Sequence, residues 1–252
     1  MTFTRRQVIT RGLAAVAGAS GLAVAARLAG RYGLVPPYRG GLYGAGDVLT
    51  YGAQRMLTSG QTLAREFPRT AISAVAPVNG PAPETDAAYL ALLDADFAPW
   101  RLVVDGLVER PSSFSLEEIK RFPSSSQVTM HTCEEGWSFI AEWTGVALSH
   151  VLQAVGTSAR ARYVVFFPYD QWWDSLDMGD ALHPQTLLAY GMNGEELPID
   201  HGAPLRLRVA RQLGYKSIKF LSRITVVESL DGIGKGVGSA SAEYGYAWYA
   251  GI

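Results

Sequence analysis

The sequence predicts an α+β chain, mixed and rich in strand. Three observations predict it. From Trp100 onward, short apolar or alternating runs of strand length recur between Gly, Pro and Asn-Gly breaks. In the same region only two stretches carry a helical signature, one a capped start and the other an apolar repeat at i, i+3 and i+4. Hydrophobic residues make up 48% of the 252 positions against 18% charged, enough to bury a sizeable core in one substantial domain or two small ones.

In chain order, residues 1–35 read as a targeting segment. Thr4-Arg5-Arg6-Gln7-Val8-Ile9 places two arginines before a weakly apolar, Ala- and Gly-rich run from Gly12 to Gly30. This resembles a twin-arginine export signal, cleaved near Ala23-Val24-Ala25 or kept as an N-terminal anchor. That route carries folded cargo, so the segment itself hints at a cofactor acquired before export. Residues 36–70 read as a linker and peripheral arm, Gly- and Pro-rich and then helical in flavour from Asp47 to Phe67. Residues 71–99 read as irregular, broken by Pro77, Asn79-Gly80-Pro81 and Pro83.

The orderly part follows. Arg101 to Asp105 is a short strand closed by Gly106. Ser115 and Glu118 form a capping box for a helix that stops near Phe122-Pro123. Gln127 to Thr132 alternates apolar and polar residues like a strand. Leu148, Val151, Leu152 and Val155 give a helix, with Gly156 suited to its C-terminal stop. Tyr163 to Phe167 is a strand ended by Pro168, and the aromatic, acidic stretch Tyr169 to Asp174 is a loop. Leu187 to Met192, Asn193-Gly194 and Glu195 to Pro198 predict a hairpin. Leu205 to Val209 and Ile224 to Glu228 are further strands. Residues 232–252 form a Gly-rich, then aromatic tail, which leaves residues 71–231 as the main domain.

Charge excludes one class of partner. The whole chain has a formal net charge of -1, but all five basic residues of positions 1–31 lie in the leader. Beyond it, 17 basic residues face 23 acidic ones, a formal charge of -6. A mildly acidic body argues against nucleic acid as a partner.

The chemistry centres on Cys133, the only cysteine, within H-T-C-E-E-G-W-S-F-I-A-E-W-T-G from His131 to Gly145. A lone thiol has no partner for an internal disulfide, which leaves metal ligation or nucleophilic attack. The four histidines show no zinc spacing, and no G-x-S-x-G elbow is present. Glu134 and Glu135 are adjacent, so they do not read as a glycosidase pair. A cationic cluster of Arg206, Lys216 and Lys219 falls within fourteen residues, with Gly214 between. A forked guanidinium beside the amides of a Gly-containing turn suits a phosphate, though a solvated strand face has the same composition. A soft thiolate together with a phosphate clamp points to a metal cofactor with a phosphate tail. A cysteine hydrolase using Cys133 and His131 is the weaker alternative, because no third orienting residue is evident.

V-D-G-L-V-E-R-P, the Cys133 block, H-G-A-P-L-R-L-R-V and G-Y-K-S-I-K together resemble the molybdopterin-binding domain of the sulfite oxidase superfamily. The C-E-E-G-W-S…W-T-G form is similar to the bacterial periplasmic methionine-sulfoxide reductase branch. The resemblance implies a β-rich sulfite-oxidase-type fold and a single-pterin molybdenum cofactor. It implies Cys133 as the protein thiolate on molybdenum and the catalytic centre. It implies pterin contacts from Asn79, His201, Arg206, Ser217, Ile218 and Lys219, with Arg206 and Lys219 neutralising the phosphate. His201 matches the sulfite oxidase branch, where the reductases carry Asn, and Pro168 stands near where the reductases carry Thr. Glu134, Glu135, Tyr169 and Trp172 are further candidates for the pocket. The expected activity is oxygen-atom transfer on a sulfite- or sulfoxide-type substrate by an exported, periplasmic or extracytoplasmic monomer. Its electrons would pass to or from a separate haem-type carrier, soluble or membrane-bound. The competing expectation is a non-catalytic ligand-binding or assembly protein on the same fold.

Overall fold

A computed structural model describes residues 35–37, 44–57, 62–80 and 82–252. The export-signal reading of residues 1–34 lies outside these. The chain divides into two compact units, Met1–Thr58 and Ser59–Ile252. The first contains helix α1, Gly44–Leu57, with Asp47 in its first turn and Arg55 in its last, each matched to the helix dipole.

The second unit holds two five-stranded sheets. One has the order β2-β1-β10-β5-β6, from strands Leu102–Gly106 (β1), Ser112–Phe114 (β2), Tyr163–Pro168 (β5), Asp174–Asp177 (β6) and Leu221–Val227 (β10). Only the β1–β10 pair is parallel. The other sheet runs β3-β4-β7-β8, from Ser124–Thr132 (β3), Ser138–Ala147 (β4), Thr186–Met192 (β7) and Glu195–Glu196 (β8), with Arg206–Val209 (β9) paired to β7. All its pairs are antiparallel. At the bulge between Thr144 and Gly145 the backbone of Leu188 comes so close that a Cβ on Gly145 would sit 2.2 Å from a carbonyl oxygen. The Asn193-Gly194 turn joins β7 to β8 with both residues at positive φ, 55° and 86°, as its hairpin type requires.

Alternation along β7 divides its side chains between two cores. Leu188 joins the large core with Val146, Leu205, Leu207 and the apolar face of helix α4 (Leu148–Val155). Leu187 and Ala189 face a second core with Phe139, Ala141 and Trp143. The sheet is therefore covered on both faces, which is why β7 reads as a near-continuous apolar run. The second core lies directly under the candidate site.

The capped helix α3 is Leu116–Lys120, and both reciprocal bonds of the Ser115–Glu118 box form. The stretch read as irregular contains a helix, α2 (Ala87–Asp94), capped by Asp86 accepting from Tyr89 N at 2.8 Å. Its sequence, AAYLALLD, is apolar on nearly every side, so no helical period stands out. Tyr89 is buried and donates its hydroxyl to the Ala203 carbonyl at 2.8 Å, tying α2 to the loop beside His201.

The helical reading from Asp47 to Phe67 is also corrected at its end. Residues 62–68 are not helical; Glu66 bridges to Thr129 and Phe67 N donates to Val128 O at 2.9 Å, so the chain there lies along β3. Residues 232–252, read as a tail, fold back onto the body. Leu213 N donates to Ala250 O, Ile252 N donates to Arg211 O, and Trp248 is buried.

Candidate active site

β3 ends at Thr132, and Cys133 occupies the first position of the turn into β4. Cys133 N donates to Trp137 O at 2.9 Å and Gly136 N to Cys133 O at 3.1 Å, closing the turn around the thiol. Gly136 takes φ 92°, a conformation that favours glycine. Cys133 is 3% exposed, yet it lines a cavity of ≈ 950 Å³. Asn79 Nδ2 lies 3.3 Å from its Sγ and 3.3 Å from Glu134 Oε1, while the thiol faces Glu134 Oε2 at 3.3 Å. Burial pushes the Cys133 thiol up, opposed by the backbone N–H of Glu135 and the Asn79 amide, with Glu134 adding to the rise. A thiol held protonated this way becomes a thiolate when a metal displaces its proton. Its partners are Asn79 and Glu134, not His131, so the Cys133–His131 pair of the hydrolase reading does not form.

The opposite wall comes from β9. Period two puts Arg206 and Arg208 on one face, and both guanidinium carbons lie over the Trp143 ring, at 4.9 Å and 5.6 Å. Arg206 donates to His201 O and Ser217 O, each at 2.9 Å. Arg208 donates to Met130 O at 2.6 Å and Val209 O at 2.8 Å, and it does not line the cavity. Both are buried, and burial pulls each down to about 9, which still leaves them cationic at neutral pH. Among the described residues no carboxylate pairs with either one. Backbone carbonyls take up their donors without cancelling their charge, so the one that lines the cavity, Arg206, suits an anionic ligand.

Ser217, Ile218 and Lys219 run beside β9, with Leu207 N donating to Ile218 O at 2.8 Å and Val209 N to Ser217 Oγ at 3.0 Å. Two glycines permit the close approach. A Cβ on Gly202 (φ 108°) would meet Lys219 Cβ at 2.8 Å, and one on Gly214 would meet His131 Nε2 at 2.7 Å. Lys219 directs all three donors at carbonyls, those of Asn79, Gly80 and Asp200, at 2.9, 2.8 and 3.0 Å. It therefore fastens the segment that carries Asn79 over the thiol. Of the two cations lining the cavity, this leaves Arg206 as the one whose charge is buried at its floor.

Asn79, Cys133, His201, Arg206, Ser217, Ile218 and Lys219 all line the one cavity. Glu134, Tyr169 and Trp172 do so as well; Glu135 does not, and its carboxylate accepts from Trp137 Nε1 instead. Lys216, grouped with Arg206 and Lys219 by sequence, points the other way and pairs with Asp174 in the core. The lining residues missed include Trp137, Phe139, Asp200, Tyr215, Ser241, Tyr246 and the wall on either side of Asn79, residues 77–78, 80 and 82–86. The turn signals at Pro77 and Pro83 marked that wall as a loop, but nothing local marked it as a lining.

Burial, with Arg206 and Lys219 close by, holds His201 down at about 4. An unfolded histidine titrates near 6.5, so on acidification the unfolded chain takes up a proton that the folded one refuses. This stability is fully present above about pH 6.5 and is lost as pH falls towards about 4. His201→Asn is expected to flatten the slope of the ligand-free protein. Urea titrations at pH 7 and 4.5 should differ between wild type and variant by about 1–2 kcal/mol, after allowance for partial solvent screening.

The donor chemistry bears on which group fits. Among the described residues no cluster of three or more His, Cys, Asp or Glu could cage a metal ion. A metal held at Cys133 would have to bring most of its own ligands, and the buried Arg206 of the same cavity suits an anionic tail. The fold and site together are those of an α+β protein whose cavity suits a metal carried on an anionic organic ligand. The domain family described as oxidoreductase molybdopterin binding domain matches residues 89–231, and the chain belongs to it.

Among curated relatives, subunit YedZ1 of Azospira oryzae is 39% identical over 158 residues, 63% of this chain and 58% of its own length. The protein-methionine-sulfoxide reductase catalytic subunit MsrP of Xanthomonas campestris is 38% identical over 152 residues, 53% of this chain and 46% of its own. The chain spans about half the length of the curated relatives it matches. A solved structure, the sulfane dehydrogenase SoxCD from Paracoccus pantotrophus, aligns at 26% identity over 52% of this chain and 38% of that chain, with a TM-score of 0.49.

Proposed function

We propose that this chain is an exported oxidoreductase that binds a single-pterin molybdenum cofactor and transfers an oxygen atom to or from a small sulfite- or sulfoxide-type substrate. The observation that carries the reading is the pairing of one thiol with one buried, unneutralised cation at two walls of the same cavity. When bound, the cofactor supplies two-electron oxygen-atom transfer at its metal. Cys133 would hold the metal, a soft donor suited to it. Arg206 and the Ser217–Lys219 backbone would hold the pterin phosphate, with the guanidinium already oriented by His201 O and Ser217 O. The Asn79 amide donates to the sulfur and so limits its electron release. His201, held neutral, adds no second positive charge beside Arg206. Trp137 and Phe139 line the cavity near the thiol and keep water from that side.

The relatives' names, a subunit and a catalytic subunit, support a separate electron partner for this chain too, and MsrP's name supports a sulfoxide as its substrate. A periplasmic or extracytoplasmic location rests on the Arg5-Arg6 segment. The test is elemental analysis of protein from a molybdenum-replete host, then a screen of oxo-substrates with an artificial electron carrier. One molybdenum per chain with turnover of a sulfoxide or sulfite is the expected result; a metal-free protein with intact fold would overturn the reading.

Lys219→Met removes three bonds to carbonyls and frees the Asn79 segment. Molybdenum retention under dialysis is expected to fall by about 10–100-fold, the range for a lost supporting group. Proteolysis between residues 77 and 86 should quicken in the same variant. If Lys219 acted only on phosphate, retention would fall with no change in cleavage.

A further inference from the structure

The outer part of the cavity differs in sign from its floor. Five carboxylate residues line it: Glu84, Asp86, Glu134, Asp170 and Asp200. All are exposed or half-buried, whereas Arg206 is 4% exposed, so the negative charge gathers at the rim and the guanidinium at the base. The only other cation of the lining, Lys219, is turned onto three carbonyls and offsets Asp170 and Asp200 in part. His201, held down at about 4, adds no charge.

Aromatic faces stand among these carboxylates. Trp172 is 44% exposed and packs on Tyr244 with ring centres 5.2 Å apart. Tyr246 is 47% exposed and packs on Tyr215 at 5.4 Å. Trp172, Tyr215, Tyr246 and Tyr169 all line the cavity. Asp86 acts on Tyr169, and Glu134 on Tyr215, closely enough to push both phenols up after burial has done so. Rings with negative faces beside carboxylates are the chemistry that receives a desolvated cation. His131, 7% exposed, lines the same cavity and has no hydrogen-bond partner at Nδ1 within the protein. Glu84, Asp86 and Tyr246 fall outside residues 89–231, so membership of the family does not specify them.

We propose that the cavity rim recognises a positively charged group on the substrate, so that the enzyme prefers an oxo-compound bearing an ammonium group and rejects oxyanions such as sulfite. Asp170 and Trp172, from the loop between β5 and β6, and Tyr246, from residues 232–252, are the specificity-determining residues. This rests on the oxygen-transfer reading above, and it selects one charge class among the substrates that reading admits. The phosphate-binding floor and the cation-binding rim then keep cofactor and substrate apart by charge.

The test uses the molybdenum-loaded, full-length protein with an artificial electron carrier. Turnover of dimethyl sulfoxide is compared with that of an alkyl methyl sulfoxide carrying a trimethylammonium group, and of its uncharged tert-butyl isostere. The cationic compound is expected to show kcat/KM at least ~10-fold above its isostere at low ionic strength, with the ratio shrinking as salt screens the rim. Tetramethylammonium, which can neither give nor accept oxygen, is expected to inhibit competitively and to quench tryptophan fluorescence on binding. In Asp170→Asn/Trp172→Leu and in Tyr246→Leu the ratio should fall towards 1 and the quenching should weaken. A ratio near 1 in the wild type, or quenching no greater than with sodium chloride at the same ionic strength, would overturn the proposal. Quenching that depends on Trp172 in a protein that turns over no oxo-compound would sink the oxygen-transfer reading and leave the cation site standing.

Discussion

Cys133→Ser is expected to yield a folded protein that no longer retains molybdenum or activity. Serine nearly preserves the volume of the side chain and can still donate to Glu134, whose carboxylate lies 3.3 Å from the thiol. The stability change should therefore stay within about 1 kcal/mol, read as a melting shift of a few degrees. The hydroxyl is hard and hardly ionises, so it is a poor replacement for a thiolate on a soft metal centre. Because the described residues offer no further cluster of metal ligands, nothing in the protein compensates. Affinity for the metal should fall by more than about 100-fold, beyond the range for a lost supporting group. The check is the ratio of molybdenum to protein after gel filtration, beside a thermal melt. Full metal occupancy in a normally folded variant would remove Cys133 from the site.

Lys216→Met should produce the largest loss of stability. Lys216 and Asp174 each have side chains 1% exposed and form an ion pair, with a second bond from Lys216 Nζ to Ser175 O at 2.8 Å. The ammonium also sits 5.0 Å from the centre of the Trp248 ring, which joins residues 232–252 to the body. Burial pushes Asp174 up to about 6 and Lys216 down, while each partner opposes the shift of the other. Removing the ammonium leaves a carboxylate buried without its charge partner, which costs about 3–5 kcal/mol. For a domain of this size that is a fall in melting temperature of about 6–20 °C.

The effect has a pH signature. A folded pKa above the unfolded value means that the native state binds the proton more tightly, so acidification stabilises it at this position. Without Lys216 the Asp174 carboxyl is pushed up further, so the gap between variant and wild type should narrow as pH falls towards about 6 and level off below it. In Lys216→Met/Asp174→Leu both charges go, and most of the loss should be recovered. An unchanged melt in the single variant would mean that Asp174 is already neutral in the wild type.

Much of the fold was legible because its signals are local. The Ser115–Glu118 box, the left-handed Gly156 stop and the Asn193-Gly194 turn each involve a few neighbouring residues, and each forms as expected. The strands at 163–168 and 206–209 were visible for the same reason. Helix α2 escaped because its apolar residues surround it, leaving period without contrast. The non-helical course of residues 62–68 escaped because pairing with β3, not local propensity, holds it.

The site divides along the same line. By itself the sequence determined where the solitary thiol sits, at the end of a strand, and that Arg206 and Arg208 share a face, because both follow from counting along one element. Only the tertiary structure decided that Asn79, more than fifty residues before Cys133, meets its sulfur. It also decided that Lys216 serves the core while Lys219, three residues on, fastens the cavity wall, and that Tyr246 reaches the rim. Those outcomes depend on which distant backbone supplies a carbonyl, a carboxylate or a ring. Local periodicity carries no information about such long-range pairings; the closure of two sheets around their cores imposes them.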